Sequence, residues 1–193
     1  MRKCLILFLL TGLFTAANAQ QNDEANVITT FTSLINADYS VCTDNAGFPA
    51  FLLKEVNTYL EKDTILRLSP GEKQELQNKL LAAQHAPQWQ GSTVNGIPLI
   101  KNDSVKKVMG DSAKVWEYFK KKYPQPIRYA LYTFSRPVFI RNNTVCLFYF
   151  DEGRYGGIDP WNHEEDSSSG ELSIYIKKGD TWIKRIIVFH YIT

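Results

Sequence analysis

Arg141-Asn142-Asn143-Thr144-Val145-Cys146-Leu147-Phe148-Tyr149-Phe150 is the stretch whose reading decides the fold. Asparagine tolerates positive φ, so the first four residues spell a tight turn. A strand from Thr144 to Phe150 follows. Successive side chains of a strand point to opposite faces. Val145, Leu147 and Tyr149 fall on one face, and Cys146, Phe148 and Phe150 on the other. Both faces are apolar, which predicts a central strand covered on both sides. Leu147 and Phe148 are expected in the core.

Working outward, Tyr129 to Ile140 reads as one long strand or two broken at Pro137. Downstream, Leu172, Ile174 and Ile176 alternate with Ser173, Tyr175 and Lys177. Lys178-Gly179-Asp180 turns the chain, and Trp182 to Ile192 closes it. Upstream the period changes to that of helices. Val27 to Ala37 places Phe31, Leu34 and Ile35 on one face. Phe51, Leu52, Val56, Tyr59 and Leu60 recur at helical spacing after Pro49. Ser69-Pro70-Gly71-Glu72 combines an N-cap, a proline in the first turn and a capping-box glutamate, with Leu76, Leu80 and Ala83 facing one way beyond it. Ile97 to Ile100 reads as a short strand. Asp111 or Ser112 can cap a helix from Ala113 to Lys122, whose Trp116 and Phe119 are expected in the core; Pro124 and Pro126 stop it. The expected fold is α+β: a helical part over residues 27–123 packed on an antiparallel β-meander of about four strands over residues 128–193.

The chain starts with Arg2 and Lys3, then an apolar run from Cys4 to Phe14, too short to span a bilayer as a helix. Ala17-Asn18-Ala19 is a small-x-small cleavage pattern. Residues 1–19 therefore read as a signal peptide, leaving one domain over residues 20–193 in the periplasm or outside the cell. The whole chain carries 22 basic and 20 acidic residues; Arg2 and Lys3 leave with the leader, so the mature chain is balanced at 20 of each. A nucleic-acid binder normally shows a basic excess, so no nucleic-acid partner is expected. No second long apolar run remains, so no membrane span is expected after cleavage.

Cys42 and Cys146 survive cleavage. In an oxidising compartment two cysteines are a disulfide candidate; two separate buried thiols are the alternative. Cys146, mid-strand among apolar neighbours, is a poor nucleophile. No Gly-x-Ser-x-Gly elbow is present. His190 reads as an edge or core histidine on the face of Trp182, Ile186, Val188 and Ile192, and His85 as a helix-end residue. No metal site and no cofactor are expected: His163-Glu164 has Ser167 where a zinc-protease motif needs its second histidine, and the acidic spacing matches no EF-hand.

The most unusual stretch runs from Asp151 to Gly170 between two strands. Structureless connections of that length are uncommon unless they carry function. It combines charge, glycines and aromatics, a mixture suited to recognition. The candidate binding residues are Asp151, Glu152, Arg154, Tyr155, Trp161, His163 and Glu164. Two of its carboxylates could also serve glycoside hydrolysis.

From the last helix onward the chain resembles a group of uncharacterised secreted proteins of Bacteroidetes-type bacteria. The resemblance rests on Trp116-Glu117-Tyr118-Phe119, Tyr123-Pro124, Ser135-Arg136-Pro137-Val138-Phe139, the apolar strand Val145 to Phe150, the Leu172 to Lys178 strand, Gly179 and Trp182. It covers about residues 113–184. Relatives of this pattern often carry Cys-Gly-x-x-Cys-Gly where this chain has Asp151-Glu152-Gly153-Arg154-Tyr155-Gly156-Gly157. The resemblance implies a fold and an exported location, and no activity. The expected function is a non-catalytic binding module for a protein or glycan partner; the alternative is an extracellular hydrolase using the carboxylates of residues 151–170.

Overall fold

The apolar stretch opens a strand of 11 residues, Val145–Tyr155, inside one mixed sheet. The structure, a computed structural model, describes residues 22–32, 39–101, 103, 121, 129–155 and 167–193. In chain order the elements are α1 (residues 22–32), β1 (Tyr39–Thr43), α2 (Leu52–Lys62), α3 (Pro70–Ala83), β2 (Thr93–Val94), β3 (Ile97–Ile100), β4 (Tyr129–Phe134), β5 (Val138–Ile140), β6 (Val145–Tyr155), β7 (Ser167–Lys178) and β8 (Thr181–Ile192). The strand order is β2-β3-β1-β4-β6-β7-β8, and β5 also pairs with β6. β1 runs parallel to both β3 and β4. The remaining pairs are antiparallel.

The expected four-stranded meander carrying N-terminal helices is therefore corrected to an 8-stranded mixed sheet, with α1, α2 and α3 the helices fully set out among the described residues. Three of the strands come from the half read as helical. β1 was missed because it is short and Ser40 and Thr43 interrupt its apolar pattern. Its partners are also distant: Cys42 aligns with Leu99 and with Tyr132. Parallel neighbours require a crossover connection. Here α2 and α3 lie in the connection between β1 and β3.

β6 does sit in the interior of the sheet with both faces covered. Val145, Leu147 and Tyr149 join Leu52, Val56 and Leu60 of α2 and Leu76 and Leu80 of α3. Cys146 and Phe148 join Val27, Ile28 and Phe31 of α1, with Phe150 against the same cluster. Leu147 and Phe148 are each 1% exposed. The helix expected over Ala113–Lys122, with Trp116 and Phe119, lies outside the described residues except for Lys121, as does the leader.

The local signals are made as the residues dictate. Ser69 Oγ accepts from the Glu72 N–H at 3.2 Å, and Glu72 Oε2 accepts from the Ser69 N–H at 2.8 Å. Glu72 then takes Arg141 Nε at 2.6 Å and Nη2 at 3.2 Å. Those bonds, the Arg141 ones first, hold its carboxyl down at about 2. The turn before β6 has three consecutive residues in the left-handed region, Arg141, Asn142 and Asn143, at φ +53°, +51° and +59°. An arginine rarely adopts this conformation; the bidentate pair with Glu72 anchors it to α3. The break between β4 and β5 falls at residues 135–137, beside Pro137.

Cys42 and Cys146 are both free and buried. The disulfide reading is corrected by register. Across β4, Cys42 aligns with Tyr132 and then with Glu152. Glu152 is six residues along β6 from Cys146, about 20 Å, and two strand spacings add about 10 Å sideways. A disulfide needs Cα atoms within about 7 Å. Burial pushes the Cys42 thiol up to about 12 and that of Cys146 well above the usual range. Ellman's reagent is expected to label neither cysteine in the folded protein and both after denaturation. A melting temperature that falls on adding reductant would contradict this arrangement.

Candidate functional site

The expected loop is shorter than its sequence suggests. β6 continues to Tyr155 and β7 begins at Ser167, with Arg154 aligned to Ser167, Glu152 to Ser169 and Asp151 to Gly170. Asp151, Glu152, Arg154 and Tyr155 are thus strand residues. Trp161, His163 and Glu164 lie outside the described residues. Apolar β6 ends at Phe150 in sequence, but its ladder does not, because backbone pairing with Ser167, Ser168 and Ser169 needs no apolar side chain.

Adjacent strand residues diverge, so Asp151 and Glu152 face opposite sides of the sheet. Asp151 lies on the α2 side. Its Oδ1 accepts the Tyr191 hydroxyl at 2.8 Å, and the Tyr149 hydroxyl lies beside Tyr191 over Gly170. Burial first, then the bond to Asp151, pushes the Tyr191 hydroxyl up to about 12. Burial raises Tyr149 further. Both stay protonated donors at neutral pH. Gly170 leaves the space for both tyrosines: a Cβ there would lie 2.3 Å from Tyr191 Cε1 and 2.9 Å from the Tyr149 hydroxyl. Phe51, 58% exposed at the start of α2, meets the rings of Tyr149 at 6.4 Å and Phe189 at 6.1 Å. Phe189 meets Tyr191 at 6.1 Å. The result is an aromatic platform with a half-buried carboxylate at its edge.

Glu152 lies on the α1 side and is buried. Its Oε1 accepts the Tyr132 hydroxyl at 2.8 Å, and Ser169 Oγ reaches Oε2 at 3.5 Å. Glu171, one diagonal ladder step away, about 7–8 Å between Cα atoms, is buried as well. It takes Lys184 Nζ at 3.0 and 3.2 Å and the Ser173 hydroxyl. Each carboxylate has its own donors, and together they form a hydrogen-bonded polar layer beside the α1 core.

Among the described residues, no group of three or more histidine, cysteine, aspartate or glutamate side chains could hold a metal ion. No described helix is long and apolar enough to cross a membrane. His190 is exposed on β8, the last strand of the sheet. The ladder puts it on the face of Trp182 but not on that of Ile186 and Val188, because β8 has register shifts opposite Leu172/Ser173 and Ile174/Tyr175. These turn Trp182 toward the α1 cluster, while Ile186 and Val188 pack on the α2 side. Sequence reasoning named Asp151 but missed Phe51, Gly170, Phe189 and Tyr191. The period-2 pattern of β8 could have offered Phe189 and Tyr191, had the bulges been visible. No family model, curated protein or solved structure matches the chain.

Proposed function

We propose that this protein is a non-catalytic binding module of the periplasm or the extracellular space, taking a glycan or a partner protein at the sheet end where β6 and β7 leave the core. The observation that carries the reading is the Tyr191–Asp151 hydrogen bond beside Tyr149, bordered by Phe51 and Phe189. Aromatic rings offer contact area at low entropy cost, and a pre-oriented carboxylate offers directional acceptors. An exposed phenylalanine gains nothing from water, and its edge-on packing holds it ready for a ligand. The leader-like start and the resemblance to secreted proteins support the location. The two described strand carboxylates at this end, Asp151 and Glu152, point apart and do not offer a catalytic pair to one substrate.

A glycan array and a pull-down from the exported fraction, run with the mature protein, test the reading. A ligand should be retained by the wild type and lost from the Phe51→Ala/Tyr191→Phe double variant, which removes a ring and the hydroxyl beside Asp151. A captured ligand that binds the folded double variant as well as the wild type would move the site elsewhere. Release of shortened glycan during the assay would replace the binding reading with the hydrolase.

A further inference from the structure

A second concave site lies on the α1 side, away from the Asp151 platform. It is a cavity of about 300 Å³ walled by Glu24, Ala25 and Ile28 of α1, Trp89 and Gln90 after α3, Thr93 and Val94 of β2, Asn95 and Arg136. Its centre is an ion pair drawn from distant parts of the chain. Arg136 Nη1 donates to Glu24 Oε1 at 3.1 Å and Oε2 at 3.3 Å. The guanidinium lies over the Trp89 ring, 4.4 Å from its centroid. Trp89 is itself held: its backbone N–H donates to Asp44 O at 2.9 Å and its indole N–H to Phe134 O at 3.0 Å. The Arg136 backbone N–H donates to Ala46 O at 2.9 Å. The pair is thus positioned from both ends by groups that do not belong to the cavity.

The pair is not saturated. An arginine side chain has five N–H donors and a carboxylate about four acceptor sites. Arg136 Nη2 makes no hydrogen bond among the described residues, and both Glu24 oxygens share the single Nη1 group. Burial raises the Glu24 carboxyl from its ordinary value in spite of the arginine beside it. A tether between α1 and the sheet does not need this arrangement, because the neighbouring Asp23 already pairs with Lys177 of β7. It also does not need an open cavity in front of it.

We infer that this cavity binds a small zwitterion, a free amino acid with an apolar side chain. The ammonium would sit on the outer lone pairs of Glu24 and the carboxylate on the Nη2 edge of Arg136. The side chain would meet Ala25, Ile28 and Val94. A ligand with one charge would leave one member of the pair opposed, whereas a zwitterion matches both. A volume near 300 Å³ is at the small end of ligand sites, which suits a single amino acid. One face of Trp89 is taken by the guanidinium and its N–H by Phe134, so the ring is less free to serve a sugar than the platform at Phe51. This inference stands independently of the reading at Asp151.

Isothermal titration of the mature protein with L-leucine, N-acetyl-L-leucine amide and glucose tests it. Leucine should saturate one site, and the uncharged amide should bind about tenfold more weakly or worse, as loss of charged hydrogen bonds does. Glu24→Gln should weaken leucine by a similar factor. Ala25→Phe, at an exposed position on α1, should block the cavity without touching the pair, and it keeps the test alive if Glu24→Gln fails to fold. The Phe51→Ala/Tyr191→Phe variant should bind leucine as the wild type does. No saturable binding at millimolar leucine, equal binding of leucine and its amide, glucose binding in preference to leucine, or an unchanged affinity in folded Ala25→Phe would each overturn the inference.

Discussion

Leu147→Ala is expected to lower the free energy of unfolding by about 2–5 kcal/mol, the range for removing a buried leucine and leaving part of its volume empty. Leu147 is 1% exposed, and it lies in one cluster with Leu52 and Val56 of α2 and Leu76 and Leu80 of α3. Opposite it on the ladder stand Val138 on one side and Ile174 on the other. Close-packed interiors relax only partly around a lost side chain, and here backbone hydrogen bonds on both edges of β6 hold the walls apart. Urea denaturation followed by circular dichroism measures the change. A loss below about 0.5 kcal/mol, the size typical of a surface substitution, would mean that α2 and α3 do not cover this face.

What could be read in the chain divides by the range of the interaction. The capping box of α3, the turn at residues 141–144 and the two-faced apolar run of β6 depend on residues a few positions apart. Each was legible, and each is made. β1 was not legible. Its five residues gain their identity as a strand from Leu99 and Tyr132, and nothing local distinguishes Tyr39-Ser40-Val41-Cys42-Thr43 from a polar-interrupted connection. Once β1 is missed, the sheet loses the strand that joins β2 and β3 to β4, and the short strand expected at Ile97 to Ile100 is left without a partner. The bulges of β8 are the same problem on a smaller scale. A register shift is set by the partner strand, so alternation counted along β8 put Ile186 and Val188 on the face of Trp182, where the sheet separates them.

The sites follow the same rule. Asp151 could be singled out for its setting in the sequence, but its partner Tyr191 is forty residues on, and Gly170, which leaves space for both tyrosine rings, is meaningful only across the ladder. Glu24 and Arg136 are farther apart still. In the sequence Arg136 stands out only as part of Ser135-Arg136-Pro137. Its conformation there, at the break between β4 and β5, is what sends the guanidinium over Trp89 toward α1.

The opposite face of the sheet supplies the second large effect: Phe31→Ala should cost about 3–5 kcal/mol. Phe31 is 6% exposed and is the main aromatic anchor of α1. Its ring lies 5.9 Å from that of Tyr132, 5.5 Å from Phe134, 5.9 Å from Phe148 and 4.1 Å from Phe150. These rings come from β4 and β6, so one side chain joins a helix to two neighbouring strands. Aromatic pairs add about 0.5–1.5 kcal/mol beyond area burial, which favours the upper part of the range. The polar links of α1, Asp23–Lys177 and Glu24–Arg136, remain in the variant, yet partly exposed ion pairs contribute at most about 1 kcal/mol each and cannot replace the lost ring. Two measurements separate docking of α1 from general instability. Amide exchange should quicken in residues 22–32 before it does so in α2 and α3, and Leu147→Ala should show the reverse order. If Phe31→Ala costs less than about 1 kcal/mol, or if exchange in α2 responds first, then α1 is not the cover of the Cys146 and Phe148 face, and the Glu24 wall of the cavity falls with it.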